Sequence, residues 1–283
     1  MAMDTHFIQL RPDLTIHQAE IFHTNTGIIK TEKGIVLVDP AFTQADLECI
    51  AAFIGQEPVL AGFSTHAHYD HLFWSALFGD ETPRYCSEGT LQEAQQHRQE
   101  ILTEARALEN DKFTLNSQLL DKHLFHLSVI SCDLHYLPSF LVEVVAIPGH
   151  LSGQTAFLFP EFRVLFTADT LSNTEPPSIE GSRRSLLEYL NSLEALEKLL
   201  DRVDWIVPGH GDPATPSEAK ARLQMDRRYL QALLALCAED FAGNSGVLAK
   251  SFLEQNKETR AKTADTWQIH LQNLDFVRQW FLG

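Results

Sequence analysis

The segment from residue 65 to residue 71 reads Thr-His-Ala-His-Tyr-Asp-His, and it constrains this chain more than any other feature. It follows the apolar run VLAGFS at 59–64, which predicts a buried strand. Four potential metal ligands therefore stand within six residues: His66, His68, Asp70 and His71. Imidazole and carboxylate groups are the ligands that Zn²⁺ and similar ions prefer. The segment thus predicts a metal site where a strand ends.

Three further candidate ligands also follow directly on apolar strands. His150 comes after LVEVVAI, Asp169 after RVLFTA and His210 after WIVP. Loops at one end of a sheet meet at the same edge, so these side chains are expected to join the first four. A single histidine after a strand is more often a hydrogen-bonded structural residue than a ligand. Seven ligand-type residues in such positions favour one shared site.

Strand and helix patterns alternate along the chain, as in a layered α/β protein. The first half predicts strands at 14–18, 26–31, 34–39 and 59–64, with a helix at 43–54. The second half repeats strands and then a helix: strands at 141–147, 155–159, 163–168 and 205–208, and a leucine-faced helix at 186–200. The first strands are close in sequence, which predicts antiparallel hairpins at a sheet edge.

A chain of 283 residues is near the upper end for a single domain. We expect one α/β domain over residues 1–239, with an insertion near 90–139 that starts with an amphipathic helix at 91–108. The capping pattern Thr215, Pro216 and Glu218 predicts a helix through about residue 239. Residues 240–283 are expected to be a C-terminal helical extension, packed on the same domain and containing a final amphipathic helix.

The charge balance argues against nucleic acid as a partner. The chain has 22 Lys and Arg against 38 Asp and Glu, a net charge of -16, which repels a polyphosphate backbone. The four cysteines show no CxxC pair, which favours reduced structural thiols. No export signal or membrane-length apolar run is visible, so a cytoplasmic protein with a small-molecule substrate and no membrane partner is expected. The sequence leaves the oligomeric state open, a homodimer included.

The order His-x-His-x-Asp-His, Pro-Gly-His, Asp after a strand and Pro-Gly-His-Gly resembles the metallo-β-lactamase superfamily over roughly residues 7–215. The resemblance implies an α/β fold, a four-layer αββα sandwich with the site at the shared edge of the two sheets. It also implies which residues bind which ion: His66, His68 and His150 the first, Asp70, His71 and His210 the second, and Asp169 both. The segment Ala168-Asp169-Thr170-Leu171 is similar to the bridging-aspartate segment of glyoxalase II.

The resemblance implies a metal-dependent hydrolase with two divalent ions, zinc first, with iron or manganese as alternatives. Bound metal lowers the pKa of water from about 15.7 to near 7, which supplies a hydroxide between the ions as the nucleophile. Asp70 and Asp169 are the candidate catalytic residues, because a carboxylate ligand can also manage a proton. The expected reaction is hydrolysis of a small ester, thioester or lactone.

Other functions stay open at this point. A phosphodiesterase or ribonuclease-like enzyme would use the same ions but needs a basic surface, and a mononuclear iron sulfur dioxygenase would share several ligands. A lactonase has weaker support because Ser172 stands where a tyrosine is common. A metal-binding protein without catalysis is disfavoured by the complete ligand set.

Several residues near the motifs receive a structural interpretation. The apolar run Leu72-Phe73-Trp74 is expected to anchor the core rather than line the cleft. The three histidines of the insertion are expected at the surface: His123, His126 and His135. Arg183 and Arg184 are expected at a solvated helix start, with contact to an anionic substrate left open.

Overall fold

The computed structural model of the chain describes residues 6–41, 43–108, 126–242, 245–255, 260 and 262–282. Seven strands form the first sheet, and they lie in chain order. They are β1 Phe7–Arg11, β2 Leu14–Gln18, β3 Asn25–Lys30, β4 Ile35–Val38, β5 Val59–Phe63, β6 Arg84–Cys86 and β7 Ser128–Val129. Strands β1 to β4 pair antiparallel, which confirms the predicted hairpins, and β4 to β7 pair parallel.

The second sheet has five strands in the order β12-β11-β10-β9-β8. They are β8 Leu134–Leu137, β9 Phe140–Ala146, β10 Thr155–Phe159, β11 Val164–Phe166 and β12 Trp205–Val207. Antiparallel pairs run from β8 to β11, where short connections suffice. Strands β11 and β12 are parallel, because a helix crosses between them.

Helices flank the sheets, and side-chain caps begin most of the long ones. They are α1 Gln44–Ile54, α2 Tyr69–Leu72, α3 Glu88–Gln96, α4 Arg98–Ala107, α5 Arg183–Glu197, α6 Pro216–Ala235, α7 Ser245–Gln255 and α8 Ala264–Leu282. The hydroxyls of Thr43, Ser87, Ser182 and Thr215 accept from backbone amides in the first turns of α1, α3, α5 and α6. In the described part of the chain, no helix is both long and apolar enough to cross a membrane.

The buried side chains divide into layers that match an αββα sandwich. Alternate residues of both sheets, such as Ile16, Phe63 and Phe157, meet in the central core. Ile50 of α1 packs on the outer face of the first sheet. Leu193 of α5 packs on the outer face of the second sheet. The predicted fold class is therefore confirmed.

The C-terminal helices share the core of the second sheet. Phe252 of α7 and Leu274 and Val277 of α8 are buried in the same cluster as Leu193 of α5. Asn273 of α8 also donates from Nδ2 to the carbonyl oxygen of Pro177, in the loop before α5 (2.7 Å). Hydrophobic burial and this hydrogen bond tie the last helix to the loop that borders the strand ends.

Some element boundaries differ from the sequence-based predictions. The single helix predicted at 91–108 is wrong: α3 ends and α4 begins at His97, whose φ and ψ of -101° and 17° leave the helical region. The break lets Ala94 of α3 and Ile101 of α4 turn into one cluster. Helix α6 ends at Ala235, before the predicted residue 239, and the pattern missed strands β1, β6, β7 and β8 and helices α2 and α7. Residues 109–125 of the predicted insertion lie outside the described residues.

Gly149 shows how tightly helix α5 packs under the strand ends. Its φ is +133°, and a Cβ there would lie 2.5 Å from Cα of Tyr189. Gly149→Ala should therefore reduce the free energy of unfolding by about 3 kcal/mol, from a positive φ combined with overpacking. Urea denaturation monitored by circular dichroism measures the loss.

Gly55→Ala is the matched control, because Gly55 also has a positive φ (+67°) but nothing lies within 4 Å of an added Cβ. Its expected cost is about 1–2 kcal/mol, from the strained backbone conformation alone (φ 67°, ψ -121°). Equal losses in the two variants would contradict the close packing of Gly149 on α5.

Candidate metal centre

The structure brings together all seven residues that the sequence predicted as ligands, at the ends of four strands. The loop after β5 and the short helix α2 carry four of them, and the loops after β9, β11 and β12 carry one each: His66, His68, Asp70, His71, His150, Asp169 and His210. Because β5 and β12 belong to different sheets, the cluster lies at the edge that both sheets share.

The first group of ligand atoms contains three imidazoles and one carboxylate. Nδ1 of His68 lies 3.0 Å from Nε2 of His66 and 3.1 Å from Nε2 of His150. Oδ2 of Asp169 lies 3.4 Å from Nε2 of His66 and 3.3 Å from Nε2 of His150. The four atoms enclose a space of the size that one ion occupies.

The second group lies on the other side of Asp169. Nε2 of His71 is 3.3 Å from Nε2 of His210, and Oδ2 of Asp70 is 3.4 Å from each of these nitrogens. Oδ1 of Asp169 lies 3.3 Å from Nε2 of His71, and Oδ2 lies 3.3 Å from Nε2 of His210. The Asp169 carboxylate therefore faces both groups.

Hydrogen bonds at the outer ring nitrogens determine which nitrogen of each histidine faces the cluster. Nδ1 of His150 donates to the carbonyl oxygen of Ser178 (3.2 Å), and Nδ1 of His210 to that of Phe22 (3.0 Å). Nδ1 of His71 donates to Oδ2 of Asp39 (3.0 Å). A carbonyl or carboxylate oxygen only accepts, so Nδ1 carries the proton in the neutral form of each ring and Nε2 has the lone pair.

The hydroxyl of Thr65 fixes the tautomer of His66 in the same way. Thr65 Oγ1 donates to Oδ2 of Asp39 (2.7 Å), so it accepts from Nδ1 of His66 (3.0 Å). Nε2 of His66 then also faces the cluster as a lone pair. Lone pairs at about 3 Å repel each other unless a proton or a cation lies between them. The site is therefore arranged to receive positive charge.

Burial and charge act in opposite directions on these imidazoles. Burial lowers the pKa of His66 to about 4 and holds the pKa of His68 well below its usual range. At His210 burial also opposes protonation, but Asp169 and Glu175 outweigh it and raise the pKa to about 10. The carboxylates likewise raise the pKa of His71, against burial. Without a metal ion, protons on these rings balance part of the carboxylate charge.

The geometry fits divalent metal ions. For a tetrahedral ion with bonds of about 2.0–2.1 Å, the ligand atoms lie about 3.3–3.4 Å apart, close to the distances found here. Oδ1 of Asp169 is buried and has no hydrogen-bond donor among the described residues. A Cβ on Gly209 would lie 2.0 Å from this oxygen, so glycine is required beside it. An orphaned carboxylate oxygen next to lone-pair nitrogens is the donor set that a cation satisfies.

Asp39 is a supporting residue that the sequence analysis did not single out. Oδ1 of Asp39 accepts from the backbone N of Thr65 (2.8 Å), while Oδ2 binds Thr65 and His71 as described above. Its φ is +46°, a strained conformation that these three hydrogen bonds hold in place. Asp39 directly follows the apolar strand β4, so the rule that identified Asp169 would also have found it.

Long-range contacts hold the loop of His210. Asn25 of β3 donates from Nδ2 to the carbonyl oxygens of Pro208 (2.9 Å) and Gly211 (2.7 Å). Thr24 Oγ1 donates to Oδ2 of Asp70 (3.2 Å). No local pattern marks these two residues, because their partners are over forty positions away.

Glu175 also reaches the cluster, and the sequence analysis missed it. One of its carboxylate oxygens lies within 4.8 Å of ligand atoms of both Asp169 and His210. Burial raises the pKa of Glu175. It stands six residues after Asp169, directly before two prolines, and no residue pattern distinguishes it from a surface glutamate.

The remaining predicted residues lie away from the ligands. Leu72, Phe73 and Trp74 are buried in helix-packing clusters, as expected. His126 is exposed and His135 bonds to the carbonyl oxygen of Ser131, whereas His123 lies outside the described residues. Arg183 and Arg184 are exposed at the start of α5, and the four cysteines, all of them described, form no disulfide.

Among the described residues, two cavities lie beside the cluster. One of about 250 Å³ reaches His68 and is lined by four glutamates: Glu93, Glu100, Glu104 and Glu180. The other, of about 690 Å³, lies between Glu175 and the first turns of α8, and its lining includes Phe22, Arg260 and Lys262. A small molecule can therefore approach His68 through the first cavity and Glu175 through the second.

A sequence model of the metallo-beta-lactamase superfamily matches residues 20–83. An atrochrysone carboxyl ACP thioesterase of Aspergillus fumigatus is 34% identical over 98 residues, which are 34% of this chain and 29% of the thioesterase. A relative named probable metallo-hydrolase, from Streptococcus pyogenes serotype M6, is 26% identical over 215 residues, covering 68% of this chain and 80% of the relative.

The solved structure of a metallo-beta-lactamase family protein from Thermus thermophilus superimposes with a TM-score of 0.60 at 18% identity. The match covers 97% of this chain and 92% of that protein, which shows a common fold. The chain is thus similar over residues 20–83 to the metallo-β-lactamase superfamily and shares its fold, and together with the cluster of His and Asp side chains these likenesses support a metal-dependent hydrolase.

Proposed function

We propose that this protein binds two divalent metal ions and hydrolyses a small thioester, ester or lactone. The observation that carries the proposal is the pair of ligand groups that share Asp169, with atoms at metal-ligand spacing. Zinc suits the imidazole-rich set, and iron and manganese are alternatives, because such ligands discriminate poorly between these ions.

Charge balance supports two ions rather than one. Asp70, Asp169 and Glu175 place three carboxylates in the cluster, and the imidazoles are neutral when they bind metal. Three negative charges in a mostly buried site are costly unless cations compensate them. Two divalent ions supply four positive charges, which leaves one for a deprotonated water or an anionic reaction product.

The bound ions would supply a polarising Lewis acid and an activated water. The chain's own residues prepare the geometry for that chemistry. Asp39 and Thr65 bind Nδ1 of His71 and of His66, so Nε2 of each ring faces inward before any ion arrives. The Tyr189 hydroxyl donates to the carbonyl oxygen of Asp169 (2.9 Å) and holds that loop.

The carboxylates of Asp70 and Asp169 are the groups placed to accept a proton from the nucleophile. Asp70 already accepts from Thr24. Both oxygens of Asp169 face ligand nitrogens, and although burial raises its pKa, His210, His71 and His66 hold that pKa well below its usual range. We therefore assign both carboxylates mainly as ligands, with proton transfer as a secondary role.

Of the two cavities, the one at Glu175 includes Arg260 and Lys262 in its lining, whereas the one at His68 favours an uncharged carbonyl substrate over a phosphodiester. The cavity at His68 has four glutamates in its lining and no Lys or Arg among its lining residues. Such a surface repels a polyphosphate chain. The partial likeness to a thioesterase supports thioesters as the first class to assay.

Side-by-side assays test the proposed function. Metal-loaded protein should cleave thioesters, simple esters or lactones faster than a bis-aryl phosphodiester or a short RNA, because the acidic cavity disfavours anionic chains. A chelator should abolish the activity and Zn²⁺ or Mn²⁺ should restore it. His66→Ala is the blank. Faster cleavage of RNA or of the phosphodiester would overturn the carbonyl assignment.

Asp169→Asn keeps the size of the side chain but removes the charge shared by both groups. Turnover should fall by at least about 100-fold, more than is typical for loss of a supporting residue. Asp201→Asn, an exposed aspartate in the turn after α5, is the matched control. Turnover of Asp169→Asn at the level of this control would contradict the shared role.

Metal binding should release protons near pH 7.5. His210 has a pKa raised to about 10 in the metal-free protein, so an ion must displace its proton. Metal affinity should therefore increase as the pH rises toward 10. Calorimetry in two buffers of different ionisation enthalpy should report at least one proton released per chain; a binding heat independent of the buffer would contradict this.

A further inference from the structure

Glu175 lies beside the second ligand group, although no predicted ligand set includes it. An oxygen of its carboxylate, an oxygen of Asp169 and a nitrogen of His210 are all within 4.8 Å of one another. Glu175 is only partly exposed, so its carboxylate has lost part of its hydration. The strongest charged influences on it are His210, Asp169, His150 and Asp70, all members of the cluster, and Arg260, in the lining of the same cavity, also interacts with it.

The loop fixes Glu175 in this place from both sides. Its backbone N donates to Oγ of Ser172 (3.3 Å). Pro176 follows, which restricts Glu175 to extended conformations. The next residue, Pro177, is fixed by the Asn273 amide of α8 (2.7 Å). A glutamate held in this way is presented to the cluster at little further entropic cost.

We propose that Glu175 is an additional ligand of the second ion. The inference rests on the proposed two-ion site. Ligand atoms on opposite sides of one ion lie about 4.2 Å apart when the bonds are about 2.1 Å, and the Glu175 carboxylate lies within 4.8 Å of ligand atoms of Asp169 and His210, so a small shift brings it within that span of these two ligands. Rotation about its side-chain bonds provides such a shift.

Glu175 makes the two ion sites chemically different. The first site has three imidazoles and one carboxylate, whereas the second has two imidazoles and the three carboxylates of Asp70, Asp169 and Glu175. Oxygen-rich sites suit Mn²⁺ and Fe²⁺ better than nitrogen-rich sites do. We therefore infer that the second site accepts Mn²⁺ or Fe²⁺ while the first holds Zn²⁺.

Metal competition on the full-length protein tests this inference. The first site is filled with Zn²⁺, and the binding of Mn²⁺ to the second is followed by electron paramagnetic resonance and by elemental analysis. Glu175→Gln, which keeps the side-chain size, should reduce Mn²⁺ affinity at least about tenfold and leave Zn²⁺ at the first site unchanged. Glu194→Gln, on the exposed face of α5, is the matched control.

Glu175→Asp separates direct binding from a charge effect. It keeps the negative charge but shortens the side chain by one methylene group. If Glu175 binds the ion directly, this variant should also bind Mn²⁺ more weakly, and its electron paramagnetic resonance spectrum should change. Wild-type Mn²⁺ affinity in Glu175→Gln would overturn the inference. Loss of Mn²⁺ affinity in Glu175→Gln with wild-type Mn²⁺ affinity in Glu175→Asp would also overturn it, because charge alone would then explain the effect. In both cases the protein would still bind two ions. Fewer than two ions in the wild-type protein would instead contradict the proposed function.

Discussion

The main constraint on this structure is the repulsion between lone-pair nitrogens and carboxylate oxygens at the shared edge of its two sheets. Lone-pair nitrogens and carboxylate oxygens from four strand ends face one another at 3.0–3.4 Å, in a largely buried place. Such an arrangement is unfavourable by itself. It persists because the two packed sheets fix the strand ends and because protons or metal ions supply the opposite charge.

Hydrogen bonds on the outside of the cluster hold these mutually repelling groups in place. Asp39 holds Thr65 and His71 together, and Asn25 fixes the loop of His210 from the neighbouring sheet. Positive φ angles at Asp39 and Ala168 show that backbone strain is concentrated at these strand ends. Stability from the central core thus maintains a site that costs free energy to assemble.

Much of the fold, and the gathering of the seven candidate ligands at one place, could be predicted, because each depends on local signals. Short apolar runs defined most strands, and polar residues directly after them defined the candidate ligands, as at His150 and His210. The parts that were missed depend on distant partners. The break at His97 reflects packing of two helices in one cluster, and Glu175 reaches the site only through its proline-bounded loop.

The number and positions of bound metal ions test the central claim most directly. A crystal structure of the metal-loaded protein, with anomalous diffraction measured at the absorption edges of zinc and manganese, would locate each ion independently of activity. We predict two peaks per chain, one among His66, His68 and His150 and one among Asp70, His71 and His210, with Asp169 between them. A single peak, or none, in protein saturated with metal would contradict the two-ion site.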